Sequence, residues 1–448
     1  MTDKYKYPEG NIFYRKLERS YPVCVKGEGI YLYDQDGKKY IDGTGGPLCV
    51  STGHGVTEIA EAAKEQAQKV AYVHGTQFTT LAAEEFSRKL SEVLPGDIDK
   101  TLFVSSGSEA NESALLLALQ YQLALGNPLK SRVIARWNSF HGSTIGARSM
   151  SGRTSWRKEA LPLLLNFPHI PAPYCYRCPF ELTYPECNVR CARILEDTIK
   201  LEGAETISAF IAETIIGTSV PAEVPPKEYY HIIRDICNKY NILYIADEVM
   251  CGYGKTGKWF ALEHWGVIPD IITMGKAISS GYIPLGAMAT KKRIIDVIKN
   301  KSGDFAYGHT STNNPMSAAV GLAVLEYFEK HNLVERAAKR GEYLFRRLNE
   351  LKEFSFVGDV RGKGLMAGIE FVKNKETKAP FSRKLKFTEK VIDKLFENGL
   401  SLYPAKGFVN GIDGDAIMVA PPLIIEEEEI DEIINILKKV FGDIENED

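Results

Sequence analysis

No stretch of this chain is apolar for long enough to cross a bilayer, and no internal repeat or low-complexity linker interrupts it. The first absence removes proteins with helical spans, which need about 20 apolar residues in a row. The opening residues, MTDKYKYPEGNIFYRK, lack the apolar core of a signal peptide, so the expected compartment is the cytosol. Charge of one sign is also missing. A formal net charge of −3 leaves no polyelectrolyte footprint, so neither nucleic acid nor a membrane is expected as a partner. With 44% hydrophobic and 25% charged residues, the composition is that of a soluble globular protein. At 448 residues the chain outgrows a single core, and two or more lobes are expected.

Cysteine is sparse except in one place. Of the eight, Cys24, Cys49, Cys237 and Cys251 are scattered and read as small buried or half-buried residues. The other four lie in residues 171–191, PAPYCYRCPFELTYPECNVRC. Cys175 and Cys178 are spaced C-x2-C there, and Cys187 and Cys191 follow as C-x3-C. Thiolates at such spacing can hold a tetrahedral zinc or an iron-sulfur cluster. The connecting segment is short for a zinc ribbon. A structural metal, a disulfide and inert thiols all stay open, with inert thiols the leading reading.

The stretch that carries chemistry is residues 247–276, DEVMCGYGKTGKWFALEHWGVIPDIITMGK. The apolar run at 242–246 delivers Asp247, and the run at 271–274 delivers Gly275 and then Lys276. Both runs read as buried parallel strands. Ligands of open α/β sheets sit beyond the carboxyl ends of the strands, so an acid and an amine released there can face one ligand. If that ligand is an aromatic cofactor, the pair points to pyridoxal 5′-phosphate. Its aldehyde takes a lysine as a Schiff base, and its ring nitrogen takes a carboxylate. For the bare pair, a salt bridge between strand ends is the simpler account; the surrounding motifs decide.

Upstream, residues 101–104 read as a strand that ends at Ser105-Ser106-Gly107-Ser108-Glu109-Ala110-Asn111-Glu112, followed by a strong helix former. Strand, serine-glycine turn and helix make an anion site, because free amides and the positive end of the helix dipole converge on the turn. A phosphate would sit on Gly107 and Ser108. Taken alone, the same residues also serve simply to cap a helix. A strand at 132–136 leads to Phe140, His141 and Gly142, and a strand at 209–212 ends at Glu213. Residues 30–34 and 39–42 form a hairpin with an Asp-Gly turn, residues 43–48 a breaker-rich loop, and residues 56–70 an amphipathic helix. A further helix is expected over 227–240. The last helix begins at glutamates 426–429 and is expected to end at Lys438, Lys439 and Gly442.

The order DEV, GYGKTG, PDIITMGKAISSG and GAM, with SGSEAN before it and HTSTNNP after it, resembles the class III (subgroup II) pyridoxal-phosphate aminotransferases over most of the chain. The resemblance implies an α/β, fold type I transferase. Its large domain has a mostly parallel central sheet, and an α+β small domain comes from both chain ends. The implied boundaries are 1–55 for the N-terminal part of the small domain, 56–330 for the large domain with residues 171–191 as a cysteine-rich insertion, and 331–448 for the C-terminal part. It also implies roles. Lys276 and Asp247 are catalytic. Gly107 and Ser108 bind the cofactor phosphate, while Phe140 and Val249 cover opposite faces of its ring. His141 and Glu213 support the site, although His141 also reads as a structural histidine. Thr310 reaches the phosphate of a neighbouring subunit, so a homodimer or dimer of dimers is implied. The resemblance brings no metal to the chemistry.

Several positions depart from the family pattern. Phe140 stands where many relatives have tyrosine, Thr214 replaces a proline, Met250 a glutamine and Lys255 an arginine. Residues 406–415 contain no arginine, although many relatives carry one there to pair with the acceptor carboxylate; Lys406, Arg153 and Arg361 are the candidate substitutes. The implied reaction moves an amino group from an amine or ω-amino acid to an oxo acid, pyruvate or 2-oxoglutarate, through pyridoxamine phosphate. A racemase, epimerase, aminomutase or decarboxylase on the same scaffold is the alternative. A non-enzymatic protein built round the cysteine module is disfavoured by the intact Asp247 and Lys276.

Overall fold

Short runs of β-branched and small apolar residues, each closed by a glycine, proline or polar turn, form the strands of the computed structural model, which describes residues 7–447. At the N-terminal side, β1 (Cys24–Glu28), β2 (Tyr31–Asp34) and β3 (Lys39–Asp42) make an antiparallel meander. The Asp34 carboxylate closes its expected Asp-Gly turn by accepting from the amides of Asp36 and Lys38. β1 was not anticipated: it lies at the edge of its sheet and is mostly exposed, so it has no buried apolar pattern to read. Cys24 on it is exposed, which corrects the expectation that it is buried or half-buried.

The central sheet contains β4 (Ile98–Val104), β5 (Arg132–Arg136), β6 (His169–Ile170), β7 (Ile207–Glu213), β8 (Leu243–Asp247), β9 (Ile271–Met274) and β10 (Gly286–Lys291). Their order across the sheet is β4-β10-β9-β8-β7-β5-β6. β6, β5, β7, β8 and β9 pair in parallel, and β10 runs against both of its neighbours. Every residue of β7, β8 and β9 is buried, as expected of parallel strands covered on both faces. The sheet is therefore mostly parallel, with the amphipathic helices Arg190–Glu202 and Tyr229–Lys239 packed on each other beside it. The second of these occupies the interior of the 227–240 span read from the sequence.

The remaining strands are β11 (Val357–Lys363), β12 (Met366–Phe371), β13 (Leu400–Ser401), β14 (Tyr403–Val409) and β15 (Asp413–Val419). Four form an antiparallel sheet in the order β11-β12-β15-β14. β13 instead pairs in parallel with β3, so strands from the two ends of the chain share one sheet. The last helix, Glu427–Glu445, opens with the capping box of Glu426 and Glu429 but passes through Gly442. Ile444 continues the buried stripe of Leu437, Val440 and Phe441, and this packing carries the helix past a glycine that the sequence reading took as its end. The breaker-rich loop at 43–48 contains a short helical turn, Gly45–Leu48, interrupted by the non-helical Gly46 and Pro47.

A buried polar cluster ties the third sheet to the cysteine-rich segment. Arg361 on β11 reaches Glu223 at 3.1 Å, Asp359 at 2.9 Å and Glu370 at 2.8 Å, and it donates to the Pro221 carbonyl at 2.8 Å. Arg177 pairs with the other oxygen of Glu370, and the Tyr174 hydroxyl donates to Glu370 as well. Burial pushes the Glu223 carboxyl up to about 7 against the pull of Arg361. Removing one member of a buried charge cluster leaves the others uncompensated. Arg361→Met should thus lower stability by about 3 kcal/mol, measured as a fall in thermal midpoint, whereas a change within error would show that the cluster contributes little.

Candidate active site

Parallel neighbours β8 and β9 end at the same edge of the sheet, with Asp247 opposite Thr273 and Lys276 two residues beyond β9. Asp247 is 3% exposed. Its Oδ2 accepts from Asn111 Nδ2 at 2.8 Å and lies 2.7 Å from His141 Nδ1, while Oδ1 accepts from the Val249 amide at 3.0 Å. Asn111 is fixed in turn: its Nδ2 also donates to the His141 carbonyl at 2.7 Å, and its Oδ1 accepts from Thr273 Oγ1 at 2.7 Å. An Nδ1–H tautomer of His141 donates to the carboxylate. Its buried Nε2 has no partner among the described residues.

Lys276 sits at φ +51°, a left-handed conformation that a lysine adopts only when its surroundings impose it. Among the described residues its amine makes no hydrogen bond or ion pair. Burial lowers its pKa, and the nearby Asp247 and Glu213 carboxylates oppose that shift. The loop that follows is strapped down. Ser280 Oγ accepts from the amides of Ser51 at 2.8 Å and Thr52 at 2.9 Å, and Tyr282 Oη accepts from the Val56 amide at 2.7 Å. These bonds hold the loop at residues 43–55 beside Lys276.

The serine-glycine turn starts the helix Gly107–Ala124, whose N-cap Ser106 accepts from the Glu109 amide at 3.3 Å. Gly107 is required by space: a Cβ there would lie 2.6 Å from Val249 Cγ1. Gly142, at φ +144°, lies so close to Ser108 that a Cβ would come within 2.6 Å of its Oγ, which also accepts from the Ser143 amide at 3.1 Å. The Phe140 amide donates to Glu213 Oε1 at 2.9 Å, and the Gly217 amide donates to Oε2 at 2.9 Å. Burial raises the Glu213 pKa. The Phe140 ring meets Trp156 edge-on at 5.1 Å.

The fold thus gathers Gly107, Ser108, Phe140, His141, Glu213, Asp247, Val249 and Lys276 at one end of the sheet. Thr310 stands apart on an exposed turn. That turn is anchored by Asn313, which exchanges two hydrogen bonds with Phe103 on β4, and Asn314 caps the helix Pro315–Lys330 by accepting from the Ser317 amide. Two residues of the Asp247 network escaped the sequence reading. Asn111 lies one helical turn after Gly107 and so shares its face. Thr273 is the one polar residue in the run of β9.

The departures have physical consequences. Met250 packs its sulfur against Gly217. Lys255 is fully buried, donates to the carbonyls of Ala420 at 3.4 Å and Pro421 at 3.2 Å, and has its pKa pushed down to about 8 by burial. Of the candidate cations, Arg361 is committed to its three carboxylates and Lys406 pairs with Glu389. Arg153 makes one side-chain bond, to Thr218 Oγ1 at 3.3 Å. The four clustered cysteines line one small cavity and carry no disulfide. Burial raises Cys175 to about 11 and Cys191 to about 12, which keeps both as thiols. Among the described residues, no group of three or more metal-ligating side chains has a geometry that could hold an ion.

A phosphate-bearing aromatic aldehyde suits this arrangement. Free amides at a helix start suit an anion, glycines leave room beside Val249 and Ser108, and a buried carboxylate and an amine unpaired among the described residues stand at adjacent strand ends. The site and sheet define a fold type I pyridoxal-phosphate enzyme. The model of the class-III aminotransferases matches residues 14–441. The chain is 39% identical over 431 residues to YodT, an uncharacterized aminotransferase of Bacillus subtilis, covering 96% of this chain and 97% of that protein. It is 35% identical over 435 residues to a putrescine–pyruvate aminotransferase of Pseudomonas aeruginosa, covering 95% and 92%. It also superposes with a TM-score of 0.89, at 33% identity and 95% and 93% coverage, on the ω-transaminase of Pseudomonas jessenii in complex with PMP. The chain belongs to the class III aminotransferase family; it is a pyridoxal-phosphate-dependent transaminase.

The buried Lys255 generates a pH-dependent prediction. Its folded pKa, about 8, lies below its ordinary value of 10.5, so its contribution to stability is fully present above pH 10.5 and is lost as the pH falls through 8. At neutral pH the cost is about 3 kcal/mol. Lys255→Met should therefore raise the thermal midpoint more at pH 7 than at pH 10. An equal change at both would mean that the amine is not desolvated.

Proposed function

We propose that this enzyme transfers an amino group from an amine or ω-amino acid to an oxo acid, pyruvate or 2-oxoglutarate. The observation that carries the reading is the buried Asp247, fixed by three donors, near the Lys276 amine, which has no partner among the described residues. Bound pyridoxal 5′-phosphate supplies an electron sink for the substrate carbanion and keeps the amino group between half-reactions. Lys276 holds the cofactor covalently. Its buried amine, freed once a donor amine is bound, would be the general base for the proton on the substrate carbon, a role helped by its lowered pKa. Asp247 would hold the ring nitrogen protonated, and His141 and Asn111 fix the orientation of its carboxylate.

Gly107 and Ser108 at the helix start would hold the phosphate, Phe140 and Val249 would cover the two ring faces, and Glu213 fixes the Phe140 backbone. Residues 56–330 form the cofactor-binding domain, and residues 1–55 and 331–448 form the small domain. Thr310, exposed in one chain, serves the phosphate of a second, so the working unit is a homodimer or dimer of dimers. The setting is cytosolic. Similarity to the putrescine–pyruvate enzyme and to an ω-transaminase supports a terminal amino group in the donor.

Titrating the visible absorbance of purified holoenzyme with amines, ω-amino acids and α-amino acids tests the reaction. One donor class should bleach the band without an acceptor, and an oxo acid should restore it. Donors that bind without bleaching would contradict transamination. Lys276→Ala should abolish turnover, and undiminished activity would remove Lys276 from the mechanism.

A further inference from the structure

Arg136, the last residue of β5, is fully buried and forms no ion pair among the described residues. A guanidinium taken out of water without a counter-ion is costly, and an apolar side chain of similar volume would fill the space without that cost. Its Nε and Nη1 have no hydrogen-bond partner among the described residues, while Nη2 donates to the main-chain carbonyl of Glu213. The Tyr230 hydroxyl donates to the same carbonyl at 3.0 Å and to that of Thr214 at 2.6 Å. The guanidinium carbon lies 5.9 Å from the centre of the Tyr229 ring. Burial opposes the charge, but Tyr230, Tyr229 and Glu213 outweigh it, so the pKa is raised and the side chain stays cationic.

Side chains alternate between the two faces of a strand, and here the alternation sets Arg136 behind the site. Ile134 pairs with Phe210, and both pack in the core that contains Tyr229, Tyr230 and Tyr244. Val133, Ala209, Ile211 and Ile245 pack in the core on the other face, with the helix Gly107–Ala124. Arg136 follows Ile134 onto the first face, whereas the Glu213 and Asp247 side chains follow Ile211 and Ile245 onto the second. The guanidinium therefore grips the Glu213 peptide from one side of the sheet, while the Glu213 carboxylate is engaged on the other.

The contacts close into a circuit. Ser139 Oγ donates to the Arg136 carbonyl at 2.7 Å, which fixes the turn leading from β5 to Phe140. Gly152 packs against the same turn, since a Cβ there would lie 2.1 Å from the Arg136 carbonyl oxygen. The Phe140 amide donates to Glu213 Oε1 and the Gly217 amide to Oε2, each at 2.9 Å. From Glu213 the path returns through its carbonyl to the Arg136 guanidinium. Arg136 thus holds both ends of the path, one by its backbone and one by its side chain, with Phe140 between them.

We propose that Arg136 is a positioning residue for the cofactor site, holding the Glu213 peptide from the far face of the sheet so that the Glu213 carboxylate keeps Phe140 and Gly217 in place. The proposal rests on the reading of Phe140 as the cover of one ring face. The charge is what makes the grip firm, because a hydrogen bond from a cation is roughly twice as strong as one between neutral groups. A neutral side chain at this depth would let the Glu213 peptide shift, and the Phe140 ring would tilt with it.

Titration of the full-length apoenzyme with pyridoxal 5′-phosphate tests it. The absorbance band gives the dissociation constant, and visible circular dichroism per bound cofactor reports the asymmetry of the ring's surroundings. Arg136→Met should weaken binding by about tenfold and diminish the dichroism. Glu213→Gln should give the same signature, and adding Arg136→Met to it should weaken binding little further, because both residues act on one path. Parent affinity and dichroism in Arg136→Met, whatever its thermal midpoint, would make Arg136 a folding residue and overturn the proposal. Additive losses in the double variant would overturn it too. If Arg136→Met does not fold, Arg136→Lys decides: with one donor in place of the planar fork, its affinity and dichroism should fall below those of the parent, and equality would overturn the proposal. Phe140→Ala separates the two readings. If it left affinity and dichroism untouched, Phe140 would not cover the ring, while the double variant would still decide whether Arg136 acts through Glu213.

Discussion

A carboxylate buried at a strand end is expensive unless donors surround it, and the arrangement around Asp247 supplies them. Asn111 arrives from the helix that starts at Gly107, His141 from the loop after β5, and the Val249 amide from its own chain. None of these is near another in sequence, apart from Val249. The network therefore exists only if β5, β8 and β9 are brought into one sheet and the helix Gly107–Ala124 packs against that sheet. Thr273 on β9 bonds to Asn111 and so ties the strand that delivers Lys276 to the strand that delivers Asp247.

Around that centre the protein tolerates unfavourable features where they position something. Lys276 holds a left-handed backbone, Lys255 is buried as a weakly bonded amine, and Glu213 and Glu223 are carboxyls with raised pKa values. The Lys255 amine meets the Ala420 and Pro421 carbonyls just after β15, and the Leu423 amide donates to the Ser51 carbonyl at 2.8 Å. The loop at 43–55 is thereby held from two sides, by the segment after Lys276 and by the segment after β15. Such double anchoring fixes backbone beside a reactive amine more firmly than either contact alone.

Much of this was legible in advance because it is written locally. The apolar runs at 242–246 and 271–274 read as buried parallel strands, whose carboxyl ends release Asp247 and Lys276 at a common edge. The helix start after the serine-glycine turn and the start of the last helix at its glutamates read correctly, since each depends on residues within a few positions. Errors arose where packing overrode local preference. Gly442 does not stop the last helix because Ile444 belongs to its buried stripe, and β1 carries no buried pattern because it is an exposed edge. Asn111 was visible as part of a helix start, but nothing local said that its amide would hold a carboxylate 136 residues away.

Sequence by itself placed Asp247 and Lys276 after apolar strand-like runs, and the class of chemistry came from the resemblance of its short motifs to the class III aminotransferases, because turn residues, periodicity and motifs are local properties. Tertiary structure alone decided which charges remain available. Arg361, Lys406 and Arg153 look alike along the chain. Only their surroundings separate an arginine held by three carboxylates, a lysine paired with Glu389 and an arginine with no ion-pair partner among the described residues. Electrostatic availability is set by distance and burial in three dimensions, and neither is encoded at any single position.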